Sequence, residues 1–428
     1  MMSRVVVIGA GAMGLAAAHR AVQLGHEVDL IEIDSVPGGM AAHFDFGPLS
    51  IERFYHFVCK SDEPTFALMR ELGIGDKMRW RATSMGYFIK GKIYPWGDPI
   101  SLLRFPHLSL MAKIRTGLQM FITTKSKSFN SIEDKTAREW LESGSGREVY
   151  NTLWKRLMDL KFYELADDIS ASWIATRVRR IGSSRRSLFQ EELGYIEGGS
   201  QTLVDALVSA YTSKGGRLHL ATSVEKVETE AGKVKGVRAG DSFYPADAVI
   251  STVPTPLIST LVPDLPEAAK AQYDAIRNIG VVCLIFRLKK SISKHFWINI
   301  VDETIEIPGV IQFSNLRPID DTVVYVPYYM PTTQPKWHWS DEQFIDEAFG
   351  YIRKVNPAIT GNDLIDAKVG RLKHAQPVCE PNFLDKLPPI QTAIAGLQIA
   401  DTCYYYPEDR GISESVRYGR DMAEAIGK

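Results

Sequence analysis

The tightest constraint on this chain is a set of three glycines lying between a strand pattern and a helix pattern. Arg4-Val5-Val6-Val7-Ile8 is a continuous β-branched run, as expected for a strand covered on both faces. Gly9-Ala10-Gly11-Ala12-Met13-Gly14 follows, then a helical pattern from Leu15 to Leu24 that Gly25 stops. A second strand, Glu27 to Ile31, ends in Glu32. Gly9 permits the tight turn, Gly11 lets a pyrophosphate approach the main chain, and Gly14 lets the helix pack closely on the strand. The helix start offers Ala12 and Met13 N–H groups and a partial positive charge to the phosphates. Glu32 stands 18 residues beyond Gly14, near the spacing at which a carboxylate accepts hydrogen bonds from a ribose. A carboxylate there disfavours a 2′-phosphate. The competing reading is a glycine-rich turn that only packs; the flanking strand, helix and acid favour a dinucleotide.

The rest of the chain limits what surrounds that unit. With 428 residues it is too long for one ordinary core and suits two interleaved domains. A formal net charge of -1 gives no global field for nucleic acid, and no zinc-finger or basic-zipper spacing occurs. Cys59, Cys283, Cys379 and Cys403 form no CxxC pair, which argues against a disulfide scaffold or a metal site and for free thiols in a reducing cytoplasm. The first strand begins at Arg4, leaving no room for a signal peptide, and no apolar run is long enough to span a bilayer.

Residues after Glu32 decide which dinucleotide. Ile33 to Met40 places Gly38-Gly39 six residues beyond the acid, where adjacent glycines let the chain lie flat against a bulky group. With Met40 in the triplet, this segment resembles the start of the amine oxidase, protoporphyrinogen oxidase and phytoene desaturase superfamily, which also includes UDP-galactopyranose mutase. The resemblance recurs twice. Glu197-Gly198-Gly199-Ser200-Gln201 opens a helix to Ser213, followed by a strand Arg217–Leu220 and Thr222-Ser223-Val224; Asp247–Pro254 matches a further family strand. Gly396 to Asp401 and Gly411-Ile412-Ser413 form the third match, with Gly419 in the last helix. The resemblance implies non-covalent FAD. The main chain at Val224 would read the adenine, Asp401 would approach the ribityl–pyrophosphate part, and the Gly411–Ile412 N–H groups would face the pyrimidine edge of the flavin. The competing reading of Asp401 is a surface acid ending a strand. Only one fingerprint is present, so no separate NAD(P)H domain is expected.

The expected fold is α/β: a discontinuous Rossmann-like FAD-binding domain (1–75, 190–255 and 390–428) with an α+β substrate domain. The first insert, 76–189, reads as mainly helical, as in Leu108–Phe121, Thr136–Glu142 and Arg147–Leu160. The second, 256–389, reads as an antiparallel sheet with runs Val281–Leu288 and Thr322–Tyr329 and one helix, Asp341–Val355. A cleft between the domains would bring a small-molecule substrate to the flavin.

Candidate substrate residues are fewer. Phe54–Leu72 is similar to the mutase branch, in which a His-aromatic-aromatic-His stretch precedes a Ser/Asn-Asp and a helix. The second histidine falls on His56, which would steady the protonation state near flavin N5 or act as an acid or base. Arg53 occupies the place of the first, so the match is partial, and His56 reads equally as a packed histidine. Arg177, Arg179, Arg180, Arg185 and Arg186 could grip a phosphate, or form a solvated helix face. Tyr404, Tyr405 and Tyr406 follow Asp401; Tyr405 is a candidate wall of a substrate cage, with packing as the alternative. Trp80, Tyr87, Tyr94 and Trp96 read as core or cleft wall. Leu102–Phe121 mixes apolar residues with Arg104, Lys113 and Arg115. It reads as an ordinary amphipathic helix or, less commonly, as a segment lying on a membrane surface.

Amine oxidases of this superfamily usually carry a lysine on a substrate-domain strand before a Phe-Trp. Here the pair is Phe296-Trp297 and the matching position is Val282, which weakens that subgroup. Two chemistries remain: oxidation or desaturation by hydride transfer to flavin N5, or a redox-neutral mutase or isomerase acting on a phosphate-bearing nucleotide-sugar or prenyl substrate. A third reading is an FAD-binding protein without turnover.

Overall fold

The computed structural model describes residues 2–47 and 49–427. Five strands form a wholly parallel sheet in the spatial order Arg217–His219, Glu27–Ile31, Arg4–Ile8, Ala248–Ser251, Leu397–Ile399. The β-branched run at the amino end explains its central place. Val5 and Val7 point into a core shared with the helices, whereas Val6 and Ile8 point into a second core shared with a small antiparallel sheet. That small sheet is Lys226–Glu230, Lys233–Ala239 and Ser242–Pro245. The helix Ala12–Gln23 follows the central strand, and the last helix, Ile412–Glu424, lies across it. Gly419 makes that crossing close: a Cβ there would stand 2.2 Å from the carbonyl oxygen of Met13. This layered α/β arrangement is Rossmann-like.

A seven-stranded sheet forms the other side of the molecule. Its order is Leu364–Pro377, Asn278–Leu288, Thr322–Met330, Gly309–Gln312, Trp297–Ile300, Met85–Ile89, Lys92–Trp96. Neighbours are antiparallel except Trp297–Ile300 and Met85–Ile89, which run parallel. The helix Asp341–Val355 spans the residues its periodicity predicts and starts at a capping box of Ser340 and Gln343. It covers one face, where Val282, Leu284 and Phe286 are buried against Phe344 and Ile352.

The stretch 76–189 differs from its sequence reading in three ways. It carries the strands Met78–Thr83, Met85–Ile89 and Lys92–Trp96, and the last two enter the seven-stranded sheet. Lys90 and Gly91, both with positive φ (50° and 73°), turn the chain between those two strands. A Lys-Gly pair is a weaker hairpin signal than Asn-Gly or Asp-Gly, which is why the alternation around it escapes notice. The helix read over 147–160 is broken into Arg147–Val149, a π-helical turn Tyr150–Trp154, and Lys155–Phe162. The helix read over 108–121 runs instead from Leu110 to Lys125, capped by Ser109.

Candidate functional site

A cavity of about 1710 Å³ lies between the parallel sheet and the seven-stranded sheet. A pocket for one drug-sized ligand occupies roughly 300–1,000 Å³, so there is room here for a dinucleotide and a substrate together.

At the parallel-sheet end the wall is mostly main chain. Gly9, Gly11, Ala12 and Met13 line it where the first strand turns into the first helix. A Cβ on Gly11 would meet nothing within 4 Å, so this position faces open space. Gly14 lies behind the wall, where a Cβ would stand 1.8 Å from the Gly9 carbonyl oxygen. Its role is close packing. Gly38 and Gly39, with φ of 117° and 56°, fold the next loop back so that Gly38 N–H donates to Ala10 O at 2.8 Å. With Met40 they line the cavity beside Glu32. The Glu32 carboxylate is buried and accepts from Ala10 N–H at 2.6 Å and Asp34 N–H at 2.8 Å. Val224 lines the same end.

Asp401, Gly411 and Ile412 reach this cavity from the other end of the chain. The Asp401 carboxylate is buried and accepts from Thr255 N–H at 2.6 Å and Cys403 N–H at 2.8 Å, so it ties two loops together as well as facing the cavity. Gly411 caps the 13-residue last helix without a side-chain hydrogen bond, leaving first-turn N–H groups free for an anionic or carbonyl acceptor. Ser413 in that turn has a buried hydroxyl with no partner. The cradle therefore fits a dinucleotide on three counts: an open glycine face, a buried acid and an uncapped helix start.

At the other end the wall is side chains. Tyr55, Trp173, Trp297, Tyr329 and Tyr405 line it. Tyr55 meets Trp297 edge-on at 5.4 Å between centroids, and its hydroxyl lies 3.4 Å from that of Tyr329. Of the three consecutive tyrosines only Tyr405 faces the cavity, with its hydroxyl 2.8 Å from Ser415 Oγ; Tyr404 and Tyr406 turn away to Pro388 O and Glu133. Tyr87 and Trp96 also belong to the wall, whereas Trp80 sits at the surface beside Phe66.

Charge at this end is uneven. Lys161, which the sequence reading does not single out, comes from the helix Lys155–Phe162. Its Nζ stands 4.7 Å from the ring centre of Tyr329 and 4.9 Å from that of Trp173. Burial holds its pKa well below the usual lysine value; neighbouring Arg177 and Arg410 push the same way, against Asp409. Asp409 pairs with Arg177 at 3.0 Å. Arg410 donates to Ala375 O and keeps a buried Nε without a partner. Three basic side chains, Lys161, Arg177 and Arg410, thus face one carboxylate. The only earlier hint of Lys161 is its place between Leu160 and Phe162, near buried Met158, where an apolar side chain is expected.

Three expectations need correction. Arg53 does not line the cavity: it pairs with Asp34 and lies over the Phe44 ring at 5.2 Å, because strand pairing of His43–Phe46 with Leu49–Glu52 brings it there. The arginine run is neither a bare phosphate grip nor a solvated face: Arg177, Arg180, Arg185 and Arg186 line the cavity, but Arg177 is paired with Asp409 and Arg180 with Asp62, while Arg179 pairs with Glu408 outside the wall. Val282 points away from the cavity into the helix-covered core; strand neighbours Val281 and Cys283 face the cavity, and neither is a lysine. His56 does line the cavity. Burial lowers its pKa, favouring the neutral ring, and its buried Nδ1 has no partner.

The fold and this cradle define a dinucleotide-binding protein with one such site among the described residues. The family model described as flavin containing amine oxidoreductase matches residues 14–371, and the chain belongs to that family. Members are FAD-dependent, and FAD is the cofactor here. The chain is 24% identical over 295 residues to a zeta-carotene desaturase of Zea mays, which covers 61% of this chain and 51% of that one. It is 23% identical over 399 residues to a 15-cis-phytoene desaturase of Arabidopsis thaliana, covering 86% and 69%. The chain therefore spans about half the length of the first relative and about two thirds of the second. The crystal structure of a reduced UDP-galactopyranose mutase superposes with a TM-score of 0.75 at 15% identity, covering 99% of this chain and 95% of that one, which is a likeness of fold.

Proposed function

We propose that this chain is an FAD-dependent oxidoreductase that oxidises or desaturates a small, largely apolar molecule carrying an anionic group. The carrying observation is that one continuous cavity holds both the dinucleotide cradle and an aromatic chamber edged by Lys161, Arg177 and Arg410. FAD bound in the cradle would be held by Gly9–Met13, Glu32, Gly38–Met40, Val224, Asp401, Gly411 and Ile412, and supplies a two-electron acceptor at N5. Residues 1–75, 190–255 and 390–428 form its domain in this reading, with the two inserts building the substrate domain. Tyr55, Trp297 and Tyr405 hold the apolar body and exclude water. Arg410 and Arg177 anchor the carboxylate or phosphate of the substrate.

Oxidation of a C–H bond with its neighbouring C–H, N–H or O–H releases a proton as well as a hydride. Lys161 is the group placed to take that proton, because its lowered pKa makes the neutral amine accessible. His56 stays neutral and serves as a hydrogen-bonding partner at the same wall. FAD is held without a covalent bond, since Cys403 lies outside the cavity wall and Cys283 sits at its substrate end. The desaturase relatives, together with the lack of a lysine at Val281 or Cys283, favour desaturation over amine oxidation. A cytoplasmic location fits four free, buried cysteines.

The redox-neutral mutase reading keeps one observation in its favour, the fold likeness to UDP-galactopyranose mutase together with His56 in the wall. Anaerobic mixing separates the two. Candidate apolar acids or phosphates should bleach the oxidised flavin spectrum without added reductant. Turnover that begins only after dithionite reduction, with no bleaching, would refute the oxidase reading.

A further inference from the structure

The helix Leu110–Lys125 is built inside out. The side it buries carries Ala112, Thr116, Gln119 and Thr123, with Gln119 bonded to Trp140 O and Ser145. The side it exposes carries the apolar residues. Leu110, Ile114, Leu118 and Phe121 are 66%, 54%, 59% and 61% exposed, a stripe at helical spacing. Water-facing apolar surface of this extent marks a contact face rather than a solvated helix. Leu103, on the short helix packed against it, adds to the patch at 59% exposure, and Leu188, which lines the same cavity as Phe121, is 62% exposed.

Two further observations say what covers it. No Asp or Glu occurs between Asp98 and Glu133, a stretch holding Arg104, Lys113, Arg115, Lys125 and Lys127 in a chain of net charge -1. Arg186 adds a cation beside Leu188. Glu148, bonded to the N-cap Ser109, is the acid that contacts the start of this helix; the flanking charges of the helix itself are all cationic, and such an apolar stripe complements a lipid surface with anionic headgroups. The cavity also reaches this face: Gly117, Phe121 and Leu188 line it, and Phe121 and Leu188 are at the same time surface residues. Among the described residues no helix is long and apolar enough to cross a membrane, so the contact is with the surface of a bilayer.

We propose that this face docks on an anionic lipid bilayer, with the helix Leu110–Lys125 lying in the headgroup region and the cavity mouth opening onto the acyl layer. The surface stands on its own geometry, independent of the reaction assigned above. The side chains reach in, the basic rim meets the headgroups, and an apolar molecule can pass from bilayer to cavity without crossing water.

Co-sedimentation of the flavin-loaded chain with vesicles tests this. Vesicles of phosphatidylcholine with phosphatidylglycerol should pull down the chain, and phosphatidylcholine alone should do so much less, with binding weakened by salt. Ile114→Glu with Leu118→Glu, neither in the cavity wall, should lower binding about tenfold or more while flavin content and the monodisperse elution profile stay unchanged. Arg104→Glu with Lys127→Glu should abolish the preference for the anionic vesicles. The proposal is overturned if the wild-type chain ignores both kinds of vesicle, or if the charge pair and the apolar pair both leave binding unchanged. It is also overturned if the face joins two copies, so that Ile114→Glu with Leu118→Glu converts a dimer into monomers that never bound vesicles.

Discussion

At the parallel-sheet end of the cavity the wall is main chain: the Gly9–Met13 turn, the Gly38–Gly39 loop and the uncapped start of the helix Ile412–Glu424. At the other end it is side chains from many separate elements, among them Lys161, Trp173, Tyr329 and Arg410. The difference is chemical. A backbone cradle recognises a shape and a phosphate charge that do not vary, so it demands particular backbone conformations. A side-chain chamber sets which molecule enters and where a proton goes, and changes in it leave the fold alone. The first end should therefore respond to substitution by all-or-none loss of FAD, and the second by graded loss of turnover with FAD retained.

Gly11→Glu should have the largest effect. It puts bulk and negative charge into the open space in front of Gly11, and the purified chain should carry no flavin by visible absorbance. Retention of full colour would break the contrast at its stronger end. Next comes Lys161→Met, which removes the amine and keeps the length of the chain. It should retain FAD and lower kcat by about a hundredfold. Because the neutral amine is the active form, wild-type kcat/KM should rise as pH passes upward through a pKa below the usual lysine value, and the variant should lose that limb. An unaltered pH profile in Lys161→Met would remove Lys161 from proton transfer. His56→Ala should keep its flavin and slow turnover about tenfold; unchanged kinetics would take His56 off the site.

Stability offers a smaller effect. His43 is buried beside Arg317, and burial, with that guanidinium, lowers its pKa from 6.5 to about 4. Between those values the unfolded chain binds a proton that the folded chain refuses. Stability should then fall as pH drops from 6.5 and level off, for this group, below about 4, by roughly 1–3 kcal/mol in all. Denaturant titrations of wild type and His43→Gln across that window measure it, and the variant should show the shallower slope. The smallest effect belongs to Arg53→Ala, which breaks a part-exposed pair with Asp34 outside the cavity. It should cost about 1 kcal/mol or less and leave turnover alone. A large kinetic loss would return Arg53 to the site.

The same contrast explains what the sequence disclosed. The cradle was legible because its requirements are local: a strand, glycines where a Cβ at Gly14 would strike Gly9 O, and an acid at Glu32. Gly411 and Asp401 were legible through the resemblance of the carboxyl-end segment to the family. The chamber was not, because its residues acquire meaning only from partners remote in sequence. Arg177 reads as one of five free arginines until Asp409, 232 residues later, is seen to share it. Arg53 looks like a site residue until the hairpin returns it to Asp34. Lys161 is silent in the sequence, since a lysine next to Phe162 usually reaches water, and here Trp173 and Tyr329 close over it. The strands around Lys90-Gly91 were hidden for a milder reason, an uncommon turn pair between two short alternating runs.

The central claim is that Gly11, Val224 and Ile412, brought together from three distant parts of the chain, hold one FAD. Titration of FAD into the deflavinated chain, followed by calorimetry, tests it most directly. The account predicts saturation at one FAD per wild-type chain and no detectable binding to Gly11→Glu. Equal binding by both, or a wild-type chain that takes up none, would contradict it.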